Sequence, residues 1–375
     1  MFTKVAIAND IPIGMTAALS GLSKDLGQQM KSGIELGFAE VNSSGGIKGK
    51  KLKLISLDDG YKPLLAASNM RTLIEEEKVL AIIGNTGTPT AVLTAPIANK
   101  NKVLMFGSYT GADFLRNNDS GCCIYNYRAS YEQETAMMVE HILNSGIDPN
   151  EIAFFAQNDA YGDAGYNGAI KAIKSSGYDA SEQLLDTRYR RNTINVEQSV
   201  ADVLMLVNKP KAIIMIGSYE ASSAFIKLLK PELPNIKFYN ISFTGSIPLL
   251  KSLGEYSEGV YITEVVPNVS SSVQLSKDYR NALKNFKQLA SNANPISFEG
   301  YIIARIFINA LKSIEGTINK TTVLDAIKNL EYSVQWLGGK NNCKNTSPKQ
   351  VSQTVWLNKV VEGKFKNVSI KYCED

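Results

Sequence analysis

The chain has 375 residues, of which 44% are hydrophobic and 20% charged, and its formal net charge is +4. That length exceeds what one hydrophobic core usually organises, so two domains, or one domain split twice, is the first expectation. The apolar content excludes a disordered chain, and no stretch approaches the ~20 apolar residues of a membrane-spanning helix. The only compact basic and aromatic run, Arg188-Tyr189-Arg190-Arg191, reads as a solvated approach to a helix. Nucleic-acid modules are far more basic, so no nucleic-acid partner is expected.

Near the start, Ala6-Ile7-Ala8 has the small-x-small form of an export cleavage site, and residues 1–8 read equally well as the stub of such a signal or as a short strand. Helical stretches alternate with β-rich runs thereafter, which is the pattern of βαβ units, so the fold class is α/β with parallel sheets. Met30, Ile34, Phe38 and Val41 recur at helical spacing, Gly45-Gly46 ends that helix, and residues 51–57 form a strand running into Asp58-Asp59. This acidic pair reads as a tie at a strand end rather than a metal site. A helix over 66–74, a strand over 79–83 and a strand over 103–106 complete the first series.

The rhythm restarts after Arg128, with a helix over 131–143, a strand over 152–155 and a helix over 165–173, which marks a second lobe. Strands over 212–216, 238–241 and 260–266 follow, and then helices over 279–289, 298–311 and 322–330. No Pro- or Ser-rich linker separates the lobes, so several short strands rather than one tether should join them.

In open parallel sheets ligands bind outside the carboxyl ends of the strands. Four loops qualify. The loop from Gly84 to Thr90 offers Thr86, Thr88, flexible glycines and a helix start that favours an anion, although either threonine alone could be an ordinary helix cap. The loop from Gly107 to Gly111 adds Ser108, Tyr109 and Thr110. From the second lobe come Tyr161, in Asn158 to Gly162, and Tyr219 with Glu220, after Gly217-Ser218. Each tyrosine could close on a ligand with a ring face and a hydroxyl, or pack half-buried at a strand end.

Catalytic and cofactor signals are weak. The single histidine, His141, falls within a helix on a face read as surface. Gly46 and Gly49 stand between a helix and a strand, the reverse of the order a dinucleotide fingerprint needs, so no cofactor is expected. Four cysteines without Cys-x-x-Cys spacing argue against a metal centre. Cys343 and Cys373 are a candidate disulfide in an oxidising compartment, with two free thiols as the alternative.

The runs Gly14 to Gly21, Val41-Asn42 through Gly49, Asp58-Asp59, Ile83-Gly84 with Thr88, Phe106 to Ala112, Tyr161-Gly162, Gly217-Ser218-Tyr219 and Asn240 to Phe243 together resemble the leucine/isoleucine/valine-binding protein family of ABC importers. The resemblance implies a type I periplasmic binding protein, with residues 1–130 and 264–336 in a first lobe, residues 131–263 and 337–375 in a second, and three crossovers forming a hinge. It implies export to the periplasm or cell envelope, a monomer, no enzymatic activity, and delivery of a small amino-acid-like or carboxylate ligand to a membrane ABC permease. Thr88 with Ser108 or Thr110 would hold the carboxylate, and Tyr161 and Tyr219 would close over it. The family's ammonium-binding acid would fall near Ser242-Phe243, where no acid stands, and its early aromatic aligns with Leu26. These departures leave open whether the ligand is an α-amino acid, with Glu220 the nearest acidic substitute and Phe243 in the acid's place. A receptor of the same fold and a doubly wound enzyme are the alternatives.

Overall fold

The computed structural model describes residues 10–178, 184–289, 292–329 and 349–371. Five strands form a first sheet: β1 (Ile11–Ala17), β2 (Leu52–Asp58), β3 (Ala81–Ile83), β4 (Leu104–Phe106) and β5 (Ile124–Tyr125). Their order is β2-β1-β3-β4-β5, and every neighbouring pair is parallel. A second sheet comprises β6 (Ile152–Gln157), β7 (Asp186–Tyr189), β8 (Ala212–Ile216), β9 (Lys237–Asn240), β10 (Tyr261–Glu264), β11 (Val355–Val361) and β12 (Lys364–Lys371). Its order is β12-β11-β10-β9-β8-β6-β7, parallel from β7 to β10 and antiparallel across the β10-β11-β12 edge. The runs Ala81–Ile83, Leu104–Phe106, Ile152–Gln157 and Ala212–Ile216 are buried at every position, as strands covered by helices on both faces must be.

Helices α1 (Lys24–Ser43), α2 (Pro63–Arg71) and α3 (Thr88–Lys100) flank the first sheet. Helices α4 (Tyr131–Asn144), α5 (Ala160–Ser175), α6 (Glu197–Met205), α7 (Tyr219–Leu229) and α8 (Ser246–Leu253) flank the second. The chain then returns, because α9 (Gln274–Asn285) and α10 (Pro295–Ser313) pack on α1, and α11 (Lys320–Lys328) packs on α10. The polypeptide therefore passes between the two halves after β5, after β10 and again ahead of β11.

The structure corrects three local expectations. The basic run is a strand end rather than an approach to a helix: Arg188 lies in β7 with Nη2 2.6 Å from Asp186 and Nη1 3.0 Å from Asp163, while Arg191 reaches Asp159 at 2.6 Å. His141 is half-buried rather than solvated, its Nδ1 3.0 Å from the Tyr239 hydroxyl, and burial lowers its pKa. Adjacent Cys122 and Cys123 are joined by a disulfide; Cys343, Cys373 and residues 1–8 lie outside the described residues. Asp58 ties a strand end as the sequence suggests, its Oδ1 accepting from the backbone N–H groups of Leu19, Ser20 and Gly60.

Candidate functional site

The loops that follow β2, β3 and β4 meet those that follow β6 and β9 in a seam between the halves. Phe243 stands at its centre, its ring centroid 4.6 Å from Tyr161, 5.3 Å from Tyr109 and 6.0 Å from Tyr61. Tyr131, the first residue of α4, packs tilted against Tyr161 with ring centroids 5.4 Å apart. All five rings are fully or almost fully buried.

Hydroxyls gather on the first-half side of these rings. The Thr88 and Thr110 hydroxyl oxygens are 2.7 Å apart, and the buried Tyr131 hydroxyl lies beside both. Beyond its approach to those two threonines the Tyr131 hydroxyl makes no hydrogen bond, and Thr86 Oγ1 makes none, although both are buried. Such orphans are rare in a folded interior and mark groups held for a partner. The turn into α3 explains how they converge. Gly87 has φ 100°, and a Cβ there would lie 2.2 Å from the Tyr61 ring, so only glycine lets the loop pass beneath that side chain. Helix α3 begins without a side-chain cap, leaving the positive end of its dipole toward the threonine pair. Arg116, buried behind it, donates from Nη2 to the carbonyls of Thr110 and Arg128, adding positive potential. The cluster can therefore accept a carboxylate: three hydroxyl donors, a helix start and a cation converge in a water-poor space walled by aromatic rings.

A second buried layer lies behind Tyr109. The Arg128 guanidinium sits 4.4 Å above that ring, donates from Nη2 to Ser242 Oγ at 2.5 Å, and holds Nε 3.4 Å from Glu299. Ser242 in turn donates from its backbone N–H and hydroxyl to Glu134, which also accepts from Thr263. Burial raises the pKa of Glu299 to about 7 and of Glu264 to about 8, partly opposed by Arg128. This network ties the passage after β5 to both halves.

The sequence-derived residues separate into two sets. Thr86, Thr88, Tyr109, Thr110, Tyr161 and Phe243 converge in the seam, and Ser108 is buried in the same β4 loop. Tyr219 stands apart at the start of α7, facing Asp25 near the start of α1. Glu220 is turned away, its carboxylate accepting from the Ser252 hydroxyl of α8 at 3.0 Å. Sequence reasoning missed Tyr61, Arg128 and Tyr131. A signal existed for the last: Ser130 and Gln133 form a capping box that fixes Tyr131 as the first helical residue.

Because the Tyr131 hydroxyl has no partner beyond its approach to the two threonine hydroxyls, Tyr131→Phe should leave the melting temperature nearly unchanged while weakening capture of an anionic ligand about tenfold. Thermal denaturation and calorimetric titration run side by side check this; a fall in melting temperature with unchanged affinity would contradict it.

Two lobes whose strand-end loops meet, three chain passages and a hydroxyl- and aromatic-lined seam define a binding protein of the hinged, two-lobed class. The sequence model described as periplasmic binding protein matches residues 10–364, and the chain belongs to that family, whose members bind solutes outside the cytoplasm. Among solved structures it resembles a possible leucine/isoleucine/valine-binding protein from Rhodopirellula baltica, at 38% identity and a TM-score of 0.88, covering 96% of this chain and 97% of that one. A solute-binding protein from R. palustris in complex with benzoate shares the fold at 15% identity and a TM-score of 0.79, covering 96% of each chain. Among sequences it is 26% identical to Leu/Ile/Val-binding protein homolog 3 of Brucella melitensis over 226 residues, 60% of this chain and 58% of that protein. No helix among the described residues is long and apolar enough to cross a membrane.

Proposed function

We propose that this protein captures a small carboxylate between its lobes outside the cytoplasm and presents the closed complex to an ABC permease for import. The observation that carries the reading is the orphaned Tyr131 hydroxyl beside the Thr88–Thr110 pair at the uncapped start of α3. Those groups bind the carboxylate, and the rings of Tyr109, Tyr161 and Phe243 hold an apolar or aromatic body. Phe243 favours carboxylates without an α-ammonium group, because an apolar ring stands where the related amino-acid binders are expected to carry an acid. The benzoate held by the R. palustris relative supports the same ligand class.

A thermal-shift panel of aliphatic carboxylates, aromatic carboxylates, α-amino acids and the matching amides tests this. A carboxylate at a hundredfold excess over its dissociation constant should stabilise the fold by about 2.7 kcal/mol, and its amide should not. Equal shifts from a carboxylate and its amide, or shifts from α-amino acids alone, would contradict the reading.

A further inference from the structure

A cavity of about 220 Å³, lined by none of the seam residues named above, opens where the passage after β10 meets the β11-β12 hairpin. Its walls come from both halves: Ser246 at the start of α8, Pro295 at the start of α10, Asn268 in the passage, and Trp356 and Phe365 on the hairpin. Glu264 also lines it. Glu264 and Trp356 are directly paired in the antiparallel β10-β11 register, so their side chains project side by side from one face of the sheet.

The polar groups in this cavity are incomplete. Glu264 is only 9% exposed and Ser246 only 2%; the two side chains face one another, and Glu264 Oε1 and Ser246 Oγ have no further hydrogen-bond partner. Arg128 lies near enough to lower the Glu264 pKa, but it makes no hydrogen bond to either group, its Nη2 going to Ser242 and its Nε to Glu299. A nearly buried carboxylate beside a tryptophan, with a phenylalanine also lining the cavity, is a residue set that recognises an alkylammonium: the carboxylate supplies the charge and the aromatic rings the cation–π attraction. The volume suits only a few heavy atoms.

We propose that this cavity is a second binding site, for a small organic cation such as a primary or methylated ammonium, held by Glu264 against Trp356. Because its walls belong to both lobes and to the passage after β10, an occupant there stabilises one relative arrangement of the lobes. Burial favours the neutral form of Glu264, and an ammonium beside it restores the charged one.

The chain has two tryptophans, so replacing Trp336 with Phe makes the fluorescence report on Trp356 alone. Titration with methylammonium and tetramethylammonium chlorides at constant ionic strength, with sodium chloride as control, should give a saturable change. In Glu264→Gln the midpoint should move at least about tenfold higher. Trp356→Leu, followed by calorimetry, should weaken the same cations severalfold while the variant keeps its melting temperature. No saturable response to either ammonium, or equal affinity in the parent and Glu264→Gln, overturns the proposal. No carboxylate is present in these titrations, so the outcome is separate from that of the proposed import function.

Discussion

Arg128→Met is expected to lower stability by about 3–5 kcal/mol, the penalty for removing one member of a buried charge network. Arg128 and Glu299 are 1% and 3% exposed at the side chain, and Ser242 loses the donor that fixes its hydroxyl toward Glu134. Methionine fills much of the volume, so the loss reports charge rather than a cavity. The sign of its pH dependence follows from Glu299. That acid already titrates near 7, and without Arg128 its pKa rises further. Below pH 6 it is protonated in parent and variant alike; above 7 only the parent can hold it ionised. The deficit should therefore be larger at pH 8 than at pH 6. Urea denaturation at the two pH values checks this, with Lys366→Met as control. That lysine belongs to an exposed pair with Glu362, and its loss should matter by under about 0.5 kcal/mol.

Gly33→Ala should be as damaging for a different reason. Helices α1 and α10 cross with almost no space between them: a Cβ on Gly33 would lie 1.9 Å from the Ser297 carbonyl oxygen and 2.8 Å from the Tyr301 nitrogen. Both obstacles are backbone, so no rotamer change relieves them, and the helices must separate. Overpacking of this kind costs about 3 kcal/mol or more, equivalent to roughly 4 °C in melting temperature for a protein of this size. Gly316→Ala meets no atom within 4 Å and should be neutral or slightly stabilising. Equal melting temperatures for the two variants would contradict the described helix crossing.

The fold was legible where periodicity and burial coincide. Runs such as Ala212–Ile216 and residues 152–156 are continuously apolar because helices cover both faces, and they stand out between amphipathic stretches. β1 was harder to see, since Pro12 and Gly14 punctuate it. Its centre tolerates them: the Pro12 carbonyl accepts from the Leu80 N–H, and a Cβ at Gly14 would press on Ile82 at 2.7 Å. The β11-β12 hairpin turns through Glu362 and Gly363, both with positive φ, which a Glu-Gly pair announces less clearly than Asn-Gly. For the candidate site, loop position after a strand singled out Thr88, Thr110, Tyr109 and Tyr161, which converge in the seam. Arg128 was not readable in the same way, because its partners Glu299 and Ser242 stand 171 and 114 residues away in the chain.

The central claim is that the threonine pair at the start of α3 binds the carboxylate. Calorimetric titration of the parent and of Thr88→Val/Thr110→Val, using the carboxylate that most raises the parent's melting temperature, tests it most directly. The double variant should keep its fold and bind at least about a hundredfold more weakly, because two hydrogen bonds to a charged group are lost. Equal affinity in a double variant with the parent's melting temperature would contradict the claim and remove the seam as the site of capture.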